Sequence, residues 1–139
     1  MTKQYRLFLA WFIALTAMLS TLFASDVLNW PVCPLCWYQR IAIYPLVILL
    51  GIAAYRNEKI IIPYVLPFPV IGFLFAAYQY CEQMIPGFAP IDFCKQGVAC
   101  STIHFKLLGF ITLPFLSGIS CLLIFILLLT SADKTNASQ

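Results

Sequence analysis

Between Leu7 and Ser25 the chain carries no charged side chain, and the same holds from Ile41 to Tyr55, from Ile60 to Cys81 and from Leu107 to Ala132. These four stretches constrain the fold more than any other feature. A charge at the centre of a bilayer costs about 2.5–3.5 kcal/mol on an insertion scale, whereas about 20 apolar residues in helical form cross the hydrocarbon core. The second stretch reaches that length if its helix starts near Leu35, after the Trp30-Pro31 turn signal and Pro34, leaving Arg40 as its one charge. Pro63, Pro67 and Pro69 fall in the third stretch. Spans tolerate proline where neighbours satisfy the freed carbonyls, so Pro63 is expected in the first turn and a kink near Pro67 to Pro69.

The expected fold is therefore an all-α integral membrane protein, a four-transmembrane-helix bundle forming one domain over 1–139. Its helices are expected at about 7–25, 35–55, 62–83 and 107–130, with an outer loop at about 84–106. Composition agrees: 63% of the residues are hydrophobic and 9% charged, against about 25% charged in a soluble domain. So few charges exclude both a water-coated globule and a disordered chain. The first stretch exceeds the apolar core of a signal peptide, about 7–15 residues, and lacks an A-x-A cleavage signal. It is expected to remain in the mature protein.

Four crossings put both termini on one side, together with Lys3, Arg6, Arg56, Lys59 and Lys134; the other side has Arg40, Lys95 and Lys106. The positive-inside rule makes the terminal side cytoplasmic. Cys33, Cys36, Cys94 and Cys100 then share the outer face, where disulfides form and persist. Cys81 and Cys121 fall inside predicted helices and read as packing residues.

Other chemistries drop out. The eight basic residues are scattered and form no stripe for nucleic acid. The single histidine, His104, rules out bis-histidine haem ligation and an HExxH zinc site within one chain and reads as a solvated loop residue; no nucleotide-binding glycine loop is present. Cysteine is left as the carrier of chemistry.

Cys33-Pro34-Leu35-Cys36 runs directly into Trp37-Tyr38-Gln39-Arg40. Two intervening residues at a helix start can hold two sulfurs within bonding reach, and the unpaired N–H groups of a helix N-terminus favour thiolate. A purely structural bridge over so short a segment would constrain little chain entropy, so a redox role is the stronger reading. Arg40, four residues beyond Cys36, shares its helical face. It can stabilise a thiolate or a reduced quinone oxygen, or it can be an interfacial cation beside an aromatic belt of Trp37 and Tyr38. Cys94 and Cys100 stand in a segment marked as irregular by Pro86-Gly87 and Pro90, with Lys95 beside Cys94. That pair reads as the accessible half of a disulfide relay or as a plain loop staple. Four cysteines on one face also raise a Cys₄ zinc site, but the Cys94–Cys100 spacing is loose for it and the compartment is oxidising, so no metal is expected.

The order of these features resembles the disulfide bond formation protein B (DsbB) family of bacterial cytoplasmic-membrane thiol–quinone oxidoreductases. The likeness is carried by C-x-x-C-x-Y-x-R at Cys33–Arg40, the helical hairpin, the loop cysteine pair, and Leu108-Gly109-Phe110 followed by Pro114. It covers about 7–129, and the compact length resembles the BdbC-type members. The related vitamin K epoxide reductases place their loop pair before the C-x-x-C, the reverse of the order here. The resemblance implies disulfides Cys33–Cys36 and Cys94–Cys100, with Cys36 facing the quinone (menaquinone or ubiquinone) near Arg40. It further implies that Cys94 forms the mixed disulfide with a soluble thioredoxin-fold thiol oxidase, DsbA- or BdbD-like, and that Cys100 passes electrons to Cys33. The rival from the residues alone is a non-enzymatic membrane protein with two structural disulfides.

Overall fold

Helices form where the charge-free stretches predict them. The computed structural model describes residues 2–29, 34–58, 60–85 and 106–136. In chain order these form α1 (Thr2–Asp26), α2 (Pro34–Arg56), α3 (Ile62–Val65), α4 (Pro67–Met84), β1 (Lys106–Leu107), β2 (Ile111–Thr112) and α5 (Leu113–Asn136). Among the described residues, four helical stretches are long and apolar enough to cross a membrane: Gln4–Asp26, Pro34–Arg56, Ile62–Met84 and Leu113–Asp133.

The third of these is jointed at proline, as the sequence predicts. Leu66 keeps helical backbone angles (φ −53°, ψ −38°), and its N–H still reaches the Ile62 carbonyl. Pro67 has no N–H to continue the ladder, so α3 hands over to α4 there. Pro63 and Pro69 both lie within a first helical turn, where the amide would lack an intrahelical partner anyway.

The fourth long helix begins later than the sequence reading places it. Instead of starting at 107, the chain makes a short antiparallel hairpin that pairs Lys106 with Thr112 and Leu107 with Ile111. Leu108 (φ +55°) and Gly109 (φ +86°) occupy the left-handed region at its turn. A right-handed helix cannot pass through two such residues. It starts at Leu113, with Pro114 in its first turn, where proline is favoured. The described chain is therefore non-helical from Lys106 to Thr112.

The long helices close a ring in which α1 packs on α2, α2 on α4, α4 on α5 and α5 on α1. This leaves α2 diagonal to α5. At one end of the bundle Arg6 Nη1 donates to the Thr130 carbonyl at 3.1 Å, tying the start of α1 to the last turns of α5. The core lies toward this end: Leu7, Ala10 and Ala14 of α1 meet Leu46 and Leu50 of α2, Ile62 and Val65 of α3, and Ile124 and Leu128 of α5. Large apolar side chains such as Phe8, Phe23, Ile48 and Leu74 stay exposed on the rim.

In lipid, helix association relies on close packing by small residues rather than on the hydrophobic effect. The α4–α5 seam shows this. Gly118 faces Ala76, and a Cβ placed on Gly72 would lie 2.9 Å from Cys121 Sγ. Cys121 is thus a buried packing thiol, and Cys81 is half-buried on α4. Gly72→Ala should destabilise the detergent-solubilised protein by about 1–3 kcal/mol, the range for overpacking. Adding Cys121→Ala should recover much of that loss in thermal unfolding. A double variant no more stable than Gly72→Ala would show that this contact does not set the helix spacing.

Candidate functional site at the Cys36 end of the bundle

Opposite the packed end the helices separate around a cavity of about 420 Å³, within the range of roughly 300–1,000 Å³ for small-molecule sites. One wall is a helical stripe on α1 running from Phe12 through Thr16, Ser20 and Thr21 to Ser25. The first turns of α5 contribute Leu113, Pro114, Leu116, Ser117 and Ser120. From α2 come Cys36, Gln39, Arg40 and Ile43, and from α4 Gln79. Phe12 on α1 and Leu116 on α5 are about half exposed, so the cavity opens sideways between these two helices.

The polar groups concentrate on α2 and α4. Pro34 in the first turn of α2 leaves Cys36 within that turn, beside the N–H groups that lack an intrahelical partner. Gln79 Nε2 donates to Cys36 Sγ at 3.3 Å, and Gln79 Oε1 accepts from Gln39 Nε2 at 2.8 Å. Both glutamines are buried. Leu35, fully buried beside Cys36, packs on Phe75 and Tyr78 of α4 and fixes the α2–α4 approach that makes this amide bridge. Tyr38 stacks on Phe75 with ring centroids 5.3 Å apart.

Among the described residues, Arg40 is the one charged residue in the cavity wall. It is only 8% exposed, so the reading of a cation reaching for water does not hold. Its Nη2 donates to the Thr21 carbonyl at 2.7 Å and to Ser25 Oγ. Ser25 Oγ in turn donates to the same Thr21 carbonyl at 2.8 Å. The guanidinium also lies 5.5 Å from the centre of the Trp37 ring, within cation–π range.

Of the sequence-predicted site residues, Cys36 and Arg40 come together in one cavity. Cys33, Cys94 and Cys100, and with them both predicted disulfides, lie outside the described residues, as do Lys95 and His104. The sequence reading missed Gln79 altogether, and it quoted Gln39 without giving it a role. A signal was present: an amide inside a charge-free span must find a partner within the protein.

A thiol, a buried cation and paired amides at one cavity among helices of membrane-spanning length mark a membrane protein with a site suited to thiol chemistry. Sequence comparison gives the same class independently. The family model "Disulfide bond formation protein DsbB" matches residues 3–131, and the chain belongs to the DsbB family. It is 53% identical to a "Probable disulfide formation protein" of Coxiella burnetii (strain RSA 493 / Nine Mile phase I) over 98% of this chain and 95% of that protein. It is 45% identical to the "Disulfide bond formation protein C" of Bacillus subtilis (strain 168), over 86% of this chain and 87% of the relative. A "Probable disulfide formation protein" of Chlamydia trachomatis is 46% identical over 88% and 92%. No solved structure matches the chain. It is therefore an integral membrane protein of disulfide bond formation, with the oxidoreductase character of its family.

One hydrogen bond contributes about 0.5–1.5 kcal/mol net, so loss of the Gln79 amide should be felt at the Cys36 sulfur it contacts. Gln79→Leu should slow alkylation of reduced Cys36 by iodoacetamide about tenfold at neutral pH, followed by mass spectrometry. An unchanged rate would mean that the amide only packs.

Proposed function

We propose that the protein is a thiol–quinone oxidoreductase that reoxidises a soluble thioredoxin-fold thiol oxidase outside the cytoplasm and delivers the electrons to a membrane quinone. The observation that carries this reading is the position of Cys36. Its sulfur sits at the junction between a cluster of donors and an apolar cavity open toward lipid. The cavity suits a quinone: its volume fits a substituted ring, its α1 and α5 walls are mostly apolar, and polar groups gather at one side only. Gln79 and Arg40 would hold the ring oxygen nearest Cys36. When bound, the quinone (menaquinone or ubiquinone) supplies an acceptor for two electrons and two protons.

On this reading the chain's own thiols do the remaining work. A reduced partner dithiol attacks the Cys94–Cys100 disulfide, with Cys94 entering the mixed disulfide, and leaves oxidised. Cys100 then exchanges with Cys33, which opens the Cys33–Cys36 disulfide and closes the Cys94–Cys100 bond again. The Cys33 and Cys36 thiols give up two electrons and two protons and return to a disulfide. Arg40 keeps its charge throughout and stabilises whichever neighbour is anionic, first the Cys36 thiolate and then the reduced oxygen. The whole chain serves as one four-helix unit in this scheme. Its terminal end is cytoplasmic and its Cys36 end faces outward, a reading supported by the Lys and Arg excess at the terminal end.

Cys36→Ser should reduce quinone turnover to background when the purified protein is mixed anaerobically with quinone and a reduced thioredoxin-fold partner. Helix content by circular dichroism should not change. Substantial turnover by a folded Cys36→Ser protein would overturn the assignment.

A further inference from the structure

A side-chain amide can be turned end for end with almost no change in shape, so a buried glutamine is fixed by what its two ends meet. Gln79 of α4 meets two partners from one turn of α2. Cys36 and Gln39 stand three residues apart there and share a helical face. Gln39 Nε2 donates to Gln79 Oε1 at 2.8 Å. Gln79 Nε2 lies 3.3 Å from Cys36 Sγ, and Gln79 Oε1 lies 3.7 Å from the same sulfur. Both glutamines are buried, Gln79 at 3% and Gln39 at 7% exposure, inside spans where partners must come from the protein.

The sulfur is thus within reach of both ends of one amide. As a thiol it can donate to Oε1, and as a thiolate it can accept from Nε2, with no rotation of Gln79 between the two. The order of the ends still matters, because the nearer atom is the donor. With the amide reversed, an oxygen would lie nearest the sulfur and would repel it whenever it is anionic. A thiol accepts either order, so Cys36 alone does not enforce this one. Gln39 does. Its Nε2 is the end turned to α4, and a reversed Gln79 would set donor against donor in a buried place.

We infer that Gln39 is a positioning residue: by engaging Oε1 it holds the Gln79 amide with Nε2 toward Cys36, so that one amide serves the sulfur as thiol and as thiolate. The inference rests on the reading of Cys36 as the reacting thiol and is independent of what accepts the electrons. Gln39 acts on the sulfur through Gln79.

The test is alkylation of the reduced, full-length protein by iodoacetamide, followed at Cys36 by peptide mass spectrometry. Gln39→Met keeps the length of the side chain and removes the donor, and should slow Cys36 about three- to tenfold, the range for one hydrogen bond. The same substitution made on Gln79→Leu should change the rate by less than about twofold, because the group through which Gln39 acts is gone. Gln39→His, whose Nε2–H can reach the place of the lost donor, should restore the parental rate above neutral pH, where the ring is uncharged. Cys121, buried between α4 and α5, is the reference for folding and should react equally in every variant. Parental Cys36 reactivity in Gln39→Met, an undiminished loss on the Gln79→Leu background, no recovery in Gln39→His, or faster Cys121 modification alongside the loss would each overturn the role of Gln39. A protein that shows the coupling yet reduces no quinone would overturn the reaction proposed above and leave the role of Gln39 standing.

Discussion

The Cys36 end of this protein is organised around one buried cation. Arg40 lies within a membrane-spanning helix, where an unsolvated charge is among the most expensive groups a chain can carry. Burial is tolerable because α1 brings a backbone carbonyl at Thr21 and a hydroxyl at Ser25 to the guanidinium. Among the described residues no carboxylate pairs with it. Neutral dipoles can solvate a cation without cancelling its charge. The field of Arg40 therefore remains available inside the cavity, and on the proposed reading it acts on the thiolate and the reduced oxygen in turn. A salt bridge to an acid would have made burial easier and the site electrostatically weaker.

The same contact shapes the cavity. By holding α1 to α2 near Ser25, Arg40 fixes the upper part of α1 as a wall; at the other end Arg6 ties α1 to α5. Between these ties the two helices need not touch along their full length. The packed end uses small residues such as Ala10 and Ala14, whereas the open end lines its cavity with Phe12, Thr16 and Ser20 of α1 and with Leu113 and Leu116 of α5. Back-bonded hydroxyls on α1 make that wall act as nearly apolar, since their donors are already engaged. A sideways opening into lipid is compatible with such a wall. It would not be compatible with one of unpaired polar groups.

Charge spacing made the number and rough extent of the helices legible, because the cost of placing charge in a bilayer acts locally on sequence. Proline chemistry likewise marked the joint at Pro67. The start of α5 was not legible in this way: Leu107 to Thr112 is as apolar as the span that follows, and only the left-handed backbone at Leu108 and Gly109 distinguishes it. Glycine hinted at that turn, but nothing about Leu108 did. At the site, Cys36 and Arg40 could be paired by helical periodicity because they share one helix. Gln39 and Gln79 could not, since their contact joins residues forty apart and depends on how α2 packs against α4.

Position within the membrane connects these features to the reaction the family carries out. On the proposed reading, disulfide formation brings together a dithiol presented from water and an oxidant dissolved in lipid, and the two cannot meet in either phase alone. A cysteine in the first turn of a spanning helix stands at the boundary between them. Its sulfur can be approached from the end of the bundle by another thiol and from the side by a ring lying between α1 and α5. On that reading the four-helix frame does more than anchor: it leaves the Cys36 sulfur open to approach from two sides. Neutral amides suit such a site better than acids, because Gln79, held in place by Gln39, reaches the sulfur without adding negative charge where the proposed reaction moves electrons.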